Sequence, residues 1–409
     1  MTAELHHLAN GLTVAIDAMA GAQSASIGLY AGVGSRSEPA ALGGLAHLVE
    51  HMVFKGAGGR DARAIAEAIE DVGGSLNAWT ARDQTVFHAR TLSPDVPLAL
   101  ELIAGLVRAP LIDEAELERE KSVVLSELGE CHDTPDDLIH DRLFEAAFGE
   151  QPLARPVLGR EETIRAVTRD ACLGWLATEY RPRRLAIVAA GKVDASAILA
   201  QAEALFGDLS DRPPPPVAPA SFVGGIRPDR RAAEQAHLAL AYPGLAATDP
   251  AMPALNLFAQ AVGGGLSSRL FQELREERGL AYSVYAWTQG FADTGLFGLY
   301  LAADKARAAE ALDLARATVE RAAADLSDAE LARARAQVEA GLLMALETPQ
   351  GRADSIARSI ELFDRIMPLG EMLAEIRSVD VAAARAAGQA LLAGPRAAAS
   401  IGGKLALAA

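Results

Sequence analysis

The sequence predicts an α+β protein made of two copies of one fold, each a mostly antiparallel sheet packed with helices. Three observations carry this. Hairpin-like pairs of strand patterns stand beside runs of helical ones, which indicates an antiparallel sheet rather than a doubly wound parallel one. A stretch at 211–220 holds five prolines in ten residues. An offset of about 209 residues brings parts of the two flanking halves into correspondence, the mark of internal duplication.

In the first half, residues 12–17 and 24–33 alternate apolar and polar positions around β-branched residues and read as strands. Helical periodicity follows at about 43–55, 61–72, 94–108, 113–130, 136–148 and 168–180, with strands at 76–82, 85–91 and 184–191. The proline-rich stretch suits neither a helix nor a central strand and favours extended polyproline II, hence a linker. The expected division is 1–210, a linker at 211–228, and 229–409. The second half repeats the style, with strands near 236–242, 281–289, 294–302 and 396–402. Its Ala-rich helices between 305 and 391 are ordinary helix-former usage. Under the offset, His47, Glu50 and His51 meet Asn256, Ala259 and Gln260, and Ala78-Trp79-Thr80 meets Ala286-Trp287-Thr288. Two copies of one fold are expected, of which only the first kept metal-capable residues.

Composition narrows the function. The 409 residues carry 38 Lys and Arg against 54 Asp and Glu, a net charge of −16, and that balance argues against nucleic-acid binding, which needs clustered basic residues. Half the residues are hydrophobic and 22% are charged, which excludes a disordered chain. Cys131 and Cys172 make no framework, so a reducing compartment is expected. There is no basic, apolar leader pattern at the start and no apolar run of 18, so a cytoplasmic protein without a membrane span is expected. His6 and His7 have no partner at ligand spacing and read as surface residues.

The chemistry concentrates in Gly-Leu-Ala-His47-Leu-Val-Glu50-His51-Met-Val-Phe54-Lys-Gly. Residues four apart share a helix face at about 6 Å, close enough for two imidazoles to bind one zinc ion. Glu50, three after one histidine and just before the other, is placed to hydrogen-bond a water on the metal, as a general base does. This is the inverted zincin signature, HxxEH. A catalytic zinc needs a third protein ligand and an open position. The helix at 113–130 offers Glu120, Glu127 and Glu130; Glu120 and Glu127 lie on one face two turns apart, and on the residues alone either can serve.

Together with Glu127, 76 residues beyond His51, the segments GGSLNAWT and GGGLSSRLFQELREERGLAYSV make the whole chain resemble the pitrilysin family of zinc peptidases. The likeness is greatest to mitochondrial processing peptidase and bacterial two-domain members. The resemblance implies one zinc ion per chain held by His47, His51 and Glu127, Glu50 as base, and Glu120 orienting His51 through its other N–H. It implies that Asn77 and Ala78 lie on an edge strand to which extended substrate adds as a further strand. Arg275 and Tyr282 match the family's pair that binds substrate backbone and stabilises the oxyanion. Phe54 fits the apolar pocket just beyond the scissile bond. Asp137 and Asp141 stand where processing peptidases place two acids that hold a substrate arginine, with Asp at both positions where the family mixes Glu and Asp.

The resemblance also implies half of a clamshell chamber, which admits oligopeptides or unfolded presequence-like peptides. Larger relatives carry four copies of the fold, so a homodimer restores the number; a heterodimer with an inactive homologue is the alternative partnership. A non-catalytic scaffold subunit is the alternative function, against which stands the retention of every HxxEH residue.

Overall fold

The computed structural model describes residues 3–403, which fold into two units. The first takes residues 3–129, Pro156–Ala218 and Leu343–Pro368; the second takes Glu130–Arg155, Pro219–Leu342 and 369–403. Each therefore includes one helical segment encoded on the far side of the proline-rich stretch.

The strands of the first unit are β1 (Glu4–His7), β2 (Thr13–Ala18), β3 (Ser24–Ala31), a small ribbon of β4 (Gly56–Ala57) and β5 (Arg60–Asp61), β6 (Ser75–Thr80), β7 (Thr85–Leu92) and β8 (Leu185–Gly191). The main sheet runs β1-β2-β8-β3-β7-β6, antiparallel at every step except β2 with β8. Its β6 edge is the feature that matters for the site. One face is covered by α1 (Leu45–Val53), α2 (Ala62–Glu70), α3 (Val96–Arg108), α7 (Arg169–Glu179) and α8 (Ala195–Phe206), with α4 (Glu114–Asp133) and the short α6 (Glu161–Ala166) beside them. Leu12, Val14, Ile27, Leu29, Phe87 and Ile187 point into that core.

The opposite face is covered by α12 (Pro349–Phe363), the segment from the second half of the chain. Its Ala353, Ile356, Ala357 and Ile360 meet Ala15, Tyr30, Val86, Ala186 and Val188. Covering both faces explains why β8 is an unbroken buried apolar run rather than an alternating one. Polar ties fix the docking: Tyr30 donates to Asp354 at 2.7 Å, Ser26 to Gln350 at 2.6 Å, and Arg352 to the fully buried Asp17 at 2.9 Å.

The second unit holds β9 (Gly225–Asp229), β10 (Ala236–Pro243), β11 (Ala281–Gly290), β12 (Gly295–Ala303) and β13 (Ala397–Ile401) in the order β11-β12-β10-β13-β9. Here too one pair is parallel, β9 with β13, and the rest are antiparallel. Read from the other edge, β9-β13-β10-β12-β11 repeats β2-β8-β3-β7-β6 in order and direction, so the duplication expected from the sequence is present strand by strand. One face is packed by α9 (Met252–Gly263), α10 (Ala308–Asp325), α11 (Asp328–Ala345) and α14 (Val381–Leu392), with α13 (Leu369–Ser378) against α9. On the other lies α5 (Pro135–Phe148), through Leu138, Ile139, Leu143 and Phe144. The exchange is reciprocal: α5 serves the second sheet and α12 the first. Among the described residues no helix is long and apolar enough to cross a membrane.

Asp17 has no access to solvent, so removing its partner strands a buried charge. Arg352→Met is expected to lower stability by about 3 kcal/mol, read by urea unfolding, whereas Asp17→Asn combined with Arg352→Met recovers most of the loss.

Candidate metal centre

Helix α1 is nine residues long, and Leu45, Ala46, Leu48, Val49, Met52 and Val53 are buried in the first core. That i, i+3, i+4 pattern spends most of the helix on packing and leaves His47, Glu50 and His51 together on the remaining face. The two imidazole centroids lie 4.6 Å apart. Helix α4 brings Glu127 opposite: its Oε2 stands 3.9 Å from His47 Nε2 and 3.7 Å from His51 Nε2. These gaps are too long for hydrogen bonds and are close to twice a zinc–ligand bond of about 2.0–2.1 Å. The three donor atoms lie within 4.8 Å of one another. Two imidazoles and a carboxylate fit zinc, and a set of three leaves a position open.

Electrostatics agree with this use of the side chains. Burial, and then the neighbouring His51, push His47 down to about 4, so it is neutral at physiological pH, the form that ligates a metal. Glu50 is held above the usual carboxylate range, first by burial and in smaller part by Glu127. The hydrogen bond from Thr80 and the charge of His51 oppose that shift. Thr80, the last residue of β6, donates to Glu50 Oε2 at 2.5 Å.

His51 is fixed from behind. Its Nδ1 is 3.1 Å from Glu120 Oε2, and the other oxygen of Glu120 is 2.8 Å from Lys55 Nζ. Glu120 is buried on α4, two turns before Glu127. The structure thus separates the two carboxylates that spacing alone left equivalent: Glu127 faces the Nε2 atoms and Glu120 faces the back of one ring. Lys55, Thr80 and Glu38, which accepts hydrogen bonds from the first turn of α1, were not singled out in the sequence. A signal for Thr80 existed, since the Ala-Trp-Thr triplet recurs in the second copy.

Asn77 and Ala78 sit on β6, which among the described residues pairs in the main sheet with β7 alone. Ala78 is buried, whereas Asn77 is exposed and its Oδ1 accepts the N–H of Ala78 at 2.9 Å. Phe54 caps the end of α1 and packs partly buried against the first core. Asp137 and Asp141 lie in the first two turns of α5, within the second unit.

Arg275 and Tyr282 are also in the second unit. Residues Phe271–Glu277 form a π-helix, an uncommon turn often found at functional sites. The Arg275 guanidinium lies 4.7 Å from the Tyr282 ring centroid and 4.8 Å from that of Phe271. Tyr282 falls at a register shift in β11 and is 70% exposed. A bulge of this kind re-aims one side chain out of the ladder.

In the second unit α9 and α11 stand where α1 and α4 stand in the first. Gln260, opposite His51 in the duplication, donates to Gln337 on α11 at 2.8 Å, and Thr288 donates to Asn256 at 2.6 Å. Neutral amides joined directly by a hydrogen bond replace the converging donors, and Gln337 is a counterpart of Glu127 that the sequence offset alone did not reveal.

Residues 13–161 match the family described as insulinase (peptidase family M16), and residues 166–338 match the peptidase M16 inactive domain. The chain is 38% identical over 382 residues to an uncharacterized zinc protease of Streptomyces coelicolor, covering 91% of this chain and 83% of that one. It is 35% identical over 389 residues to the probable mitochondrial-processing peptidase subunit beta of Arabidopsis thaliana, covering 91% and 73%. Its fold matches that of a protease from Helicobacter pylori with a TM-score of 0.91 at 20% identity, covering 98% and 99% of the two chains. A structure described as the peptidase M16 inactive domain from Pseudomonas fluorescens matches with a TM-score of 0.90 at 23% identity, covering 100% and 99%. The last two likenesses speak for the fold alone, but relatives this similar over nine-tenths of the chain make it a member of peptidase family M16.

Proposed function

We propose that the protein is a zinc-dependent endopeptidase in which His47, His51 and Glu127 hold one zinc ion per chain and Glu50 is the general base. The observation that carries this reading is the convergence of two imidazoles and a carboxylate beside a second carboxylate whose own partner, Thr80, belongs to a sheet-edge strand. Zinc, when bound, supplies the Lewis acidity that makes water acidic near neutral pH and polarises a peptide carbonyl.

The chain's own residues do the rest. An extended peptide adds to β6 as a further strand, its backbone held by the main chain around Asn77 and Ala78, which gives affinity with little demand on side chains. Phe54 contributes to the apolar surface that takes the residue beyond the scissile bond. Glu50, anchored through Oε2 by Thr80, keeps Oε1 to take a proton from the attacking water and later return it to the leaving amine. Its pKa, raised by burial, suits a group that must hold the proton between those two moments.

Arg275 and Tyr282 complete the site, the former on substrate backbone and the latter on the developing oxyanion. Their mutual stacking and the exposure of Tyr282 support a pair offered outward, and we assign them to the site of a partner chain in a homodimer. The working assembly is a closed chamber taking oligopeptides or unfolded presequence-like peptides in the cytoplasm. Asp137 and Asp141, four apart on α5, chelate an arginine of the substrate. A scaffold role is disfavoured by the ligand geometry of the first copy; the description of the matching family model as inactive applies to residues 166–338, where amides stand in the donors' places.

Glu50→Gln should retain its zinc by metal analysis and lose about 10²–10⁴-fold in kcat. Near-wild-type cleavage by that variant ends the proposed mechanism. Mixing His51→Ala with Tyr282→Phe chains should restore activity above either alone, because one composite site in the mixed dimer is intact; no gain argues against sharing.

A further inference from the structure

The two histidines are not supported alike. His51 is oriented by Glu120, but His47 Nδ1 is buried and has no hydrogen-bond partner among the described residues. What sets His47 is therefore the backbone beneath it, in the first turn of α1. That turn begins at Gly44 with φ of +90°, and a Cβ there would stand 2.5 Å from Ile164 Cδ1 and 2.7 Å from the carbonyl oxygen of Leu158. Serine, threonine or aspartate, the usual caps, cannot occupy that position.

The cap comes from six residues upstream. Glu38, 4% exposed, accepts from the N–H of Gly44 through Oε2 at 2.9 Å and from that of Ala46, the residue before His47, through Oε1 at 2.7 Å. A carboxylate straddling two free N–H groups at a helix N-terminus also meets the positive end of the helix dipole. We propose that Glu38 is a positioning residue for the metal set, fixing His47 through the first turn of α1 as Glu120 fixes His51 through its ring. This rests on the zinc reading of the site.

The alternative is that Glu38 merely stabilises the helix. Zinc affinity, measured by competition with a chelating dye, separates the two. Glu38→Gln presents an amide NH2 to one of the two N–H groups and is expected to weaken zinc binding about 10–100-fold, as loss of an outer-sphere partner does. Glu38→Asp keeps the charge but reaches one N–H at most, and should fall between. In Glu38→Gln reloaded with excess zinc, kcat should drop while KM for a peptide stays within about twofold, because β6 is untouched.

If both variants bind zinc as tightly as the wild type, the proposal is overturned, even if the metal-free proteins melt earlier. Should Glu38→Gln not fold, the affinity of Glu38→Asp decides alone. A wild-type protein that binds no zinc would instead overturn the reading of the site itself, a distinguishable failure.

Discussion

The hydrogen bond from Thr80 to Glu50 joins the last residue of an edge strand to the carboxylate beside two histidines. Both partners sit on elements with little freedom. Thr80 is held by the pairing of β6 with β7, and Glu50 by a helix whose six other accounted positions are packed in the core. The β6 edge and the Glu50 carboxylate on α1 consequently share one frame of reference. The two imidazoles join it through α4, where Glu120 reaches back to His51 and Glu127 forward to both rings. A shift of α1 by a fraction of an ångström alters all three relations at once, which is why so short a helix is pinned at its start by Glu38 and at its end through Lys55 and Glu120.

Much of this was legible beforehand. The spacing of His47, Glu50 and His51 is a direct consequence of helix geometry, and the strand patterns at 12–17, 85–91 and 184–191 returned as β2, β7 and β8. Some elements gave little signal. The β1 strand contains two histidines and a glutamate but a single apolar residue, and β9 carries Arg227, Pro228 and Asp229, so neither shows the alternation of a half-buried strand. Helix α8 does carry its pattern, in Ile198, Ala202 and Phe206 behind the Asp194 cap, and lies outside the elements read from sequence. The roles of Glu38 and Lys55 depend on which distant group a side chain meets, which no local pattern encodes.

The second unit shows what the first would be without its chemistry. Strand order, helix placement and even the threonine of the edge strand are kept, while His51 and Glu127 give way to Gln260 and Gln337. Amides can satisfy each other directly, whereas an imidazole pair facing a carboxylate at 3.7–3.9 Å leaves a gap too long for hydrogen bonds and wide enough for an ion. The fold tolerates either solution because both tie the same two helices.

The reciprocal exchange of α5 and α12 has a cost during synthesis. The first sheet is complete in sequence at Gly191, but the helix that covers Ala15, Tyr30, Val86, Ala186 and Val188 starts at Pro349. Roughly 160 further residues must leave the ribosome, on the order of 10–30 s at bacterial and eukaryotic elongation rates. For that interval the apolar sheet face that α12 will cover has been synthesised and its cover has not.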